Sequence, residues 1–256
     1  MAEFRNVTII TGAVNETDSL RETVLTLFRI CDHKDLCEII ISCSPRITPQ
    51  CKAVLDELLS MESDVPIVTF EQKRKGLGTV VEAIERARGS HCILLDSDMA
   101  LDLECVAKMI DGVKKDGDTI ISTSRWLKGC EFFGYSKSKH FLNFVAQIFL
   151  RILYQKKITD FTNPFQIVPT ELYQAIEWES EGFPIFMEAV LKPIRLGYKF
   201  IEIPTNCYSR KQGKSSNSFR QTAEYLPTAL HIRFMKKKDI LKKDTELYKK
   251  LFKVKN

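Results

Sequence analysis

Two aspartates one residue apart end an apolar run in "ILLDSDMALD", residues 93–102. Carboxylates in this position can hold a hard divalent cation, Mg2+ or Mn2+, which in turn neutralises a diphosphate. Alternatively, Asp96 and Asp98 cap the helix that follows the strand, because carboxylates commonly accept hydrogen bonds at helix starts. The pair by itself leaves both interpretations open.

A glycine-rich turn in "KRKGLGTVVEAIERARG", residues 73–89, is the second candidate site. Gly76 and Gly78 allow the backbone to approach a ligand closely, and the helix that follows offers its N-terminal amides to an anion. The alternative is an ordinary glycine turn before a surface helix.

A polar loop, "YSRKQGKSS", is the third candidate site and carries Arg210 and Lys214 around Gly213. This composition suits a phosphate, because arginine offers a planar fork of donors and lysine a point charge. A solvated basic loop without a ligand is the alternative.

Alternating strand and helix patterns position the first two sites. Strand patterns occur in "VTIITGA", "CEIIISCS", "VPIVTFE", "HCILLDSD" and "DTIISTSRW", and amphipathic helical patterns separate them. Unbroken apolar strands in such an alternation predict an α/β fold, with a mostly parallel sheet covered by helices on both faces. Ligands bind beyond the carboxyl ends of the strands in these sheets, and Asp96 and Asp98 fall at that edge.

The second half of the chain is less regular. A long, mostly apolar helix is predicted from Ser138 to Tyr154, followed by an irregular segment, "TDFTNPFQIVP". Helices are predicted from Thr170 and near "FMEAVLKPIRLG", and a strand in "KFIEIPTNCYS". Since no linker interrupts the pattern before about residue 217, we expect one domain over 1–217 and a basic helical tail over 218–256.

Composition places the chain among globular proteins, with 44% hydrophobic and 28% charged residues. The longest apolar stretch contains Gln147 and Arg151, so no transmembrane segment is expected. Because the chain opens directly into a strand pattern, no secretory signal is expected. Eight cysteines show no C-x-x-C pair or zinc spacing, which indicates reduced thiols and a cytoplasmic location.

Positive charge is concentrated at the C-terminal end. Residues 233–256 carry ten Lys and Arg against three acids, whereas the whole chain has a net charge of only +5. Ile240, Leu247, Leu251 and Val254 recur there at roughly helical spacing, which suggests a peripheral helix drawn to anionic lipid at the cytoplasmic membrane face. A solvated terminal helix is the alternative. Nucleic-acid binding is not expected, because no recognised module accompanies the charge.

In their order and spacing the motifs resemble the family 2 glycosyltransferases, especially the dolichol-phosphate mannosyltransferase and polyprenyl-phosphate glycosyltransferase branch. The resemblance covers roughly residues 5–217 and rests on "NE" after the first strand, "GLGTVVEAIERARG", "DSD", "TDFTNPF" and "EAVLKPIRLGYKFIEIPTNCYSRKQGKS". It implies a GT-A fold, a nucleotide-sugar donor, a lipid-phosphate or glycan acceptor and inversion at the anomeric carbon.

The resemblance also implies roles for individual residues. Asp96 and Asp98 would hold Mg2+ or Mn2+ on the donor diphosphate, and Asp160 would lie near the reacting sugar. The catalytic residues would then be Asp98, Asp160 and Arg210. The acceptor phosphate would contact Arg210, Lys214 and Ser215. The donor would contact Asn15, Glu16, Ser42, Gly76, Gly78, Asp96 and Arg125.

Two kinds of acceptor and one non-catalytic role stay open. An acceptor phosphate is already anionic and needs no strong base to attack the sugar. A hydroxyl acceptor would have to lose its proton to a carboxylate, for which Asp160 is the candidate. The third possibility is a relative that binds a nucleotide sugar, or scaffolds a partner, without catalysis.

Departures from the family pattern keep the nucleotide base, the metal affinity and the acceptor open. The usual acidic pair after the second strand is replaced, and the usual glutamine after the D-x-D is an alanine. The positions that depart are Gly12, Ala13, Ile41, Ser42, Ala100, Asn163, Pro164, Gln166, Lys214 and Ser216.

Overall fold

The structure is a computed structural model that describes residues 2–134, 136–208 and 224–253. Its strands are β1 (Val7–Ala13), β2 (Leu36–Cys43), β3 (Ile67–Glu71), β4 (His91–Leu94), β5 (Ile120–Ser124), β6 (Phe132–Phe133), β7 (Gln166–Pro169), β8 (Phe200–Pro204) and β9 (Cys207–Tyr208). The helices in the described ranges are α1 (Asp18–Ile30), α2 (Pro49–Leu59), α3 (Thr79–Arg86), α4 (Cys105–Val113), α5 (Lys137–Tyr154), α6 (Thr170–Ala175), α7 (Pro184–Leu196), α8 (Tyr225–Phe234) and α9 (Glu246–Phe252).

A seven-stranded sheet in the order β3-β2-β1-β4-β7-β5-β8 forms the centre of the protein. All its neighbouring strands are parallel except β7, which is antiparallel to both β4 and β5. A second, small sheet pairs β6 with β9. The mostly parallel α/β fold predicted from the alternating pattern is therefore confirmed.

Two hydrophobic cores lie on opposite faces of the large sheet, because successive side chains of a strand point to opposite sides. Ile9 and Ile39 pack with α1, α2 and α4, whereas their neighbours Ile10 and Ile40 pack with α3, α6 and α9. Apolar side chains are thus needed at consecutive positions, which is why these strands are unbroken hydrophobic runs in the sequence. A third core joins α5, α7 and α8.

Strand β7 lies within the segment that the sequence pattern predicts as irregular, and that prediction was wrong. The strand has only four residues, with a glutamine at its start and a proline at its end, so it carries little strand signal. Its position comes from tertiary contacts instead. The Gln166 side chain donates hydrogen bonds to the Tyr173 hydroxyl at 2.6 Å and to the carbonyl of Ala189 at 2.8 Å.

The C-terminal segment packs against the sheet domain rather than forming one continuous lipid-facing helix. Ile240 and Leu247 are buried, Leu251 is exposed, and Val254 lies outside the described residues. The backbone at Leu241 pairs with Ile176, which fixes the segment beside α6. In the described parts of the chain, no helix has both the length and the apolar character to cross a membrane.

Candidate active site

A cleft of about 660 Å³ opens at the carboxyl ends of β1, β2 and β4. Its walls include residues at and after the ends of these strands, the turn before α3, two loop segments at 163–165 and 181–183, and Phe186 at the start of α7. This is the edge at which an open α/β sheet binds its ligands. Of the residues predicted to contact a donor, the cleft is lined by Asn15, Glu16, Ser42, Gly76 and Asp96.

The loop after β1 is organised by the Glu16 carboxylate. One of its oxygens accepts hydrogen bonds from the backbone amides of Val14, at 2.9 Å, and Asn15, at 3.0 Å. On the adjacent strand, the buried Ser42 hydroxyl donates to the carbonyl of Thr11 at 3.3 Å. Both contacts fix the backbone at the floor of the cleft.

The glycine turn before α3 is held against the loop that precedes α7. Gly76 has a φ of +56°, and a Cβ at this position would lie 2.5 Å from the carbonyl oxygen of Glu181. The same oxygen accepts a hydrogen bond from the amide of Leu77 at 2.7 Å. A Cβ on Gly78 would lie 2.9 Å from the Cβ of Arg74. Both glycines are thus required by contacts within the protein, and their contact with a ligand stays a prediction.

Asp96 and Asp98 occupy different environments after β4. Asp96 is exposed and lines the cleft, whereas Asp98 is only 7% exposed and accepts a hydrogen bond from the amide of Ala100 at 3.0 Å. Between them and Ala100, Met99 adopts a φ of +55°, an uncommon conformation for a non-glycine residue. Helix α4 begins only at Cys105, so the helix-capping alternative for the two aspartates was wrong.

The chemistry of two carboxylates suits a divalent cation, and phosphate oxygens would complete its shell. Mg2+ is commonly held by one or two carboxylates together with substrate phosphates and water. Over the three described ranges, no group of three or more His, Cys, Asp or Glu side chains is placed to hold a metal without such help. Ala100 stands where the family has glutamine. Because alanine has no side-chain oxygen to bind a metal, the protein would supply few of the metal ligands.

The buried Asp160 forms an ion pair with the partly buried Arg125, and neither residue lines the cleft. The Arg125 guanidinium donates from Nε to Oδ2 of Asp160 at 2.7 Å and from Nη2 to Oδ1 at 2.9 Å. Asp160 is 1% exposed, and Thr162 receives a further hydrogen bond from Nη2 of Arg125 at 3.0 Å. The two residues, predicted for different roles, therefore act as one unit in this structure.

Glu202 on β8 holds the backbone next to Asp160 in place. Its carboxylate accepts hydrogen bonds from the amides of Thr159, at 2.9 Å, and Asp160, at 3.0 Å. Burial raises the pKa of Glu202, and these donated hydrogen bonds oppose the shift. The segment that carries Asp160 is thus held by a second, half-buried carboxylate.

The predicted phosphate loop, with Arg210, Lys214 and Ser215, lies outside the described residues. The chain enters it from Tyr208, whose amide donates to the carbonyl of Ala100 at 2.9 Å. The Tyr208 hydroxyl also donates to Asp102 at 3.0 Å. Tyr208, the last described residue before the loop, therefore lies beside the turn that follows the aspartate pair.

Several cleft residues were missed in the sequence. Arg46 follows β2, and the rule that ligands bind beyond strand ends could have identified it. Asn163, Glu181 and Phe183 come from loops far along the chain and carry no local signal. Among the described residues that line the cleft, the acids are Glu16, Asp96 and Glu181, and the basic residue is Arg46.

The sequence of the chain is similar to those of known proteins over part of its length. Residues 8–176 match the family model described as glycosyl transferase family 2. A dolichol-phosphate mannosyltransferase of Pyrococcus furiosus is 27% identical over 171 residues, which are 65% of this chain and 47% of the relative. An undecaprenyl-phosphate mannosyltransferase of Micrococcus luteus is 23% identical over 127 residues, which are 48% of this chain and 51% of the relative. The chain thus spans about half the length of these curated relatives.

Solved structures show the fold. A glucosyl-3-phosphoglycerate synthase from Mycobacterium tuberculosis, in complex with Mn2+, UDP and phosphoglyceric acid, superposes with a TM-score of 0.68. The match has 12% sequence identity and covers 91% of this chain and 80% of the other. The same enzyme with Mg2+ and UDP also gives a TM-score of 0.68. The predicted GT-A fold is confirmed by this similarity, and, with the match to the family model over most of its sheet domain, the chain belongs to glycosyl transferase family 2.

Proposed function

We propose that the protein transfers a sugar from a nucleotide-sugar donor to a polyprenyl phosphate, with inversion at the anomeric carbon and with Mg2+ or Mn2+. The observation that carries the proposal is the position of Asp96 in a cleft large enough for a nucleotide sugar, at the carboxyl ends of β1, β2 and β4. The catalytic unit would comprise residues 1–217, with residues 218–256 as a basic segment whose described part packs against it. The protein would act at the cytoplasmic membrane face.

Charge in the cleft supports the dependence on a metal. The described lining has more carboxylates than cations, so a diphosphate there would face net repulsion without added positive charge. Asp96 and Asp98 would hold the ion, which when bound would neutralise the diphosphate and make it a better leaving group. Arg210 and Lys214 would add positive charge from the loop that begins after Tyr208.

The acceptor assignment follows from the chemistry of the attack. An anionic oxygen of the acceptor phosphate forms a bond to the anomeric carbon while the bond from that carbon to the diphosphate oxygen breaks. No proton has to be removed from such an acceptor. Asp160 would be the base for a hydroxyl acceptor, but its oxygens bind Arg125 and it is 1% exposed. Both curated relatives also carry a polyprenyl phosphate in their names.

A comparison of acceptors tests the proposal. The full chain is incubated with Mg2+ or Mn2+, a panel of labelled nucleotide sugars, and polyprenyl phosphate, polyprenyl alcohol or phosphoglycerate. We expect labelled lipid with the phosphate and none with the alcohol. Transfer to phosphoglycerate or a glycan hydroxyl alone would replace the acceptor assignment, and a chain that binds no donor would favour the scaffold alternative.

A further inference from the structure

Helix α5 has an exposed apolar side opposite its buried side. Gln147, Leu150 and Tyr154 face the interior, whereas Phe141 is 68% exposed and Ile152 is 71% exposed. Apolar residues between these two extend the exposed side along most of the helix. They are Leu142, Phe144, Val145, Ile148 and Phe149.

Helix α8 lies beside α5 and extends this surface. Leu226, Leu230 and Phe234 recur every four residues and therefore share one side of the helix, with Phe234 75% exposed. The Tyr154 hydroxyl donates to the carbonyl of Ala229 at 2.7 Å, which ties the two helices together. We call the exposed apolar residues of α5 and α8 together the α5–α8 platform. A patch of this kind marks an interaction surface in a globular protein.

Positive charge flanks the platform. Residues 137–157 contain five lysines and arginines and no acid, and three exposed lysines at 236–238 begin one residue after the end of α8. Long basic side chains beside an apolar helix face can extend to the phosphate level of a membrane. The same charges would repel each other across a contact between two copies of this chain. Charge thus favours an anionic surface over self-association.

The platform is connected to the candidate active site through the buried side of α5. The Gln147 side chain donates from Nε2 to the Thr162 hydroxyl at 2.9 Å and accepts from the amide of Phe161 at 2.8 Å. Thr162 in turn binds Arg125, the partner of Asp160. Helix α5 alone would therefore separate a surface bound to the platform from the Arg125–Asp160 ion pair.

We propose that the α5–α8 platform binds the surface of an anionic lipid bilayer, with both helices lying in the plane of the interface. This surface differs from the C-terminal segment suggested by the sequence, where Ile240 and Leu247 are buried within the protein. The benefit for catalysis, delivery of a lipid-linked acceptor, rests on the proposed function. The binding itself does not.

Vesicle co-sedimentation of the full chain tests the proposal. Vesicles contain phosphatidylcholine alone or phosphatidylcholine with phosphatidylglycerol, and the triple variant F141S/I152S/F234S removes the three most exposed platform residues. We expect binding to the anionic vesicles that weakens as salt is raised from 0.1 to about 0.5 M. The triple variant should bind at least tenfold more weakly, since each lost side chain contributes apolar area.

A matched variant, L25S/I201S/L251S, removes three exposed apolar residues outside the platform, one of them in the C-terminal segment. It should bind vesicles as the wild type does. Circular dichroism confirms that both variants are folded, and donor binding is measured in parallel, so that a failure of the proposed function is seen separately.

Three results would overturn the proposal. They are equal vesicle binding by the wild type and the platform variant, no binding of the wild type to anionic vesicles, or a wild-type dimer that the platform substitutions convert to a monomer.

Discussion

At the scale of single residues, the two aspartates after β4 would have different roles in the proposed metal site. Asp96 faces the cleft, whereas Asp98 is buried and hydrogen-bonded to the backbone of its own turn. A buried, hydrogen-bonded carboxylate has a fixed orientation and can serve as the rigid ligand. The exposed carboxylate of Asp96 would meet the diphosphate in the cleft.

Replacing Asp96 with Asn should weaken Mn2+-dependent binding of a nucleoside diphosphate by at least tenfold, because a charged ligand of the ion is lost. Titration calorimetry with and without Mn2+ measures the effect. Thermal stability should change little, since the side chain is exposed. Asp64→Asn, at another exposed acid, is the control, and equal Mn2+ dependence in all three proteins would contradict the assignment.

Replacing Arg125 with Ala should destabilise the protein by about 3–5 kcal/mol, because Asp160 would be left buried without its charged partner. Denaturant unfolding measures the change in free energy. The double variant R125A/D160N should recover part of the loss, as it removes the unpaired charge. A loss below about 1 kcal/mol for R125A would mean that the pair does not support the fold as its geometry indicates.

The residues at strand ends could be predicted from the sequence, whereas this ion pair could not. Ser42 lies at the carboxyl end of β2 and Asp96 follows β4, and both strands have strong apolar patterns, so their edge of the sheet is fixed once the strands are recognised. Arg125 and Asp160 are 35 residues apart, and their hydrogen bonds depend on how two irregular segments pack. Sequence spacing carries no information on that distance.

At the scale of elements, the turn before α3 shows why the glycines are needed. Gly76→Ala should cost about 1–3 kcal/mol, since the residue has a positive φ and the new Cβ would overlap the carbonyl of Glu181. Displacement of this loop should also weaken donor binding.

Gly129→Ala is the matched control for that prediction. Gly129 also has a positive φ, of +92°, but nothing lies within 4 Å of its added Cβ. Its cost should therefore reflect the backbone conformation alone, about 1 kcal/mol, with donor binding unchanged. If both variants lose the same stability and bind donor equally, the contact with Glu181 has no role in the site.

Strongly patterned elements could be predicted, and those that depend on tertiary contacts could not. β1 and α5 match their predicted positions closely, because their apolar periodicity extends over seven and 18 residues. β7 was missed since its four residues are held by neighbours on both sides. The sequence shows that α5 is apolar, but it does not show which of its apolar residues are exposed. That depends on which side of the helix packs against the protein.

At the scale of the whole molecule, a buried histidine should make stability depend on pH. Burial lowers the pKa of His91, and its hydrogen bond to the carbonyl of Gly117 and the charge of Asp118 oppose the shift. The unfolded chain therefore binds a proton at a higher pH than the folded protein does. Stability should be fully present above the ordinary histidine pKa, near 6.5, and decline below it by up to about 1.4 kcal/mol per pH unit.

Unfolding measurements between pH 7 and 5 check this prediction with His91→Gln, whose amide can replace the donor to Gly117. The variant is compared with the wild type by the slope of stability against pH rather than by absolute stability. Its slope should be smaller over this range. Equal slopes would exclude His91 as the titrating group.

The central claim for the whole molecule is metal-dependent use of a nucleotide sugar at the Asp96–Asp98 cleft. The most direct test measures nucleoside diphosphate release from a panel of nucleotide sugars with polyprenyl phosphate, using wild type, EDTA-treated wild type and Asp98→Asn. We expect release from one donor with Mg2+ or Mn2+, and a loss of at least 100-fold with EDTA or in the folded variant. Equal release in all three samples, or none from any donor, would contradict the claim.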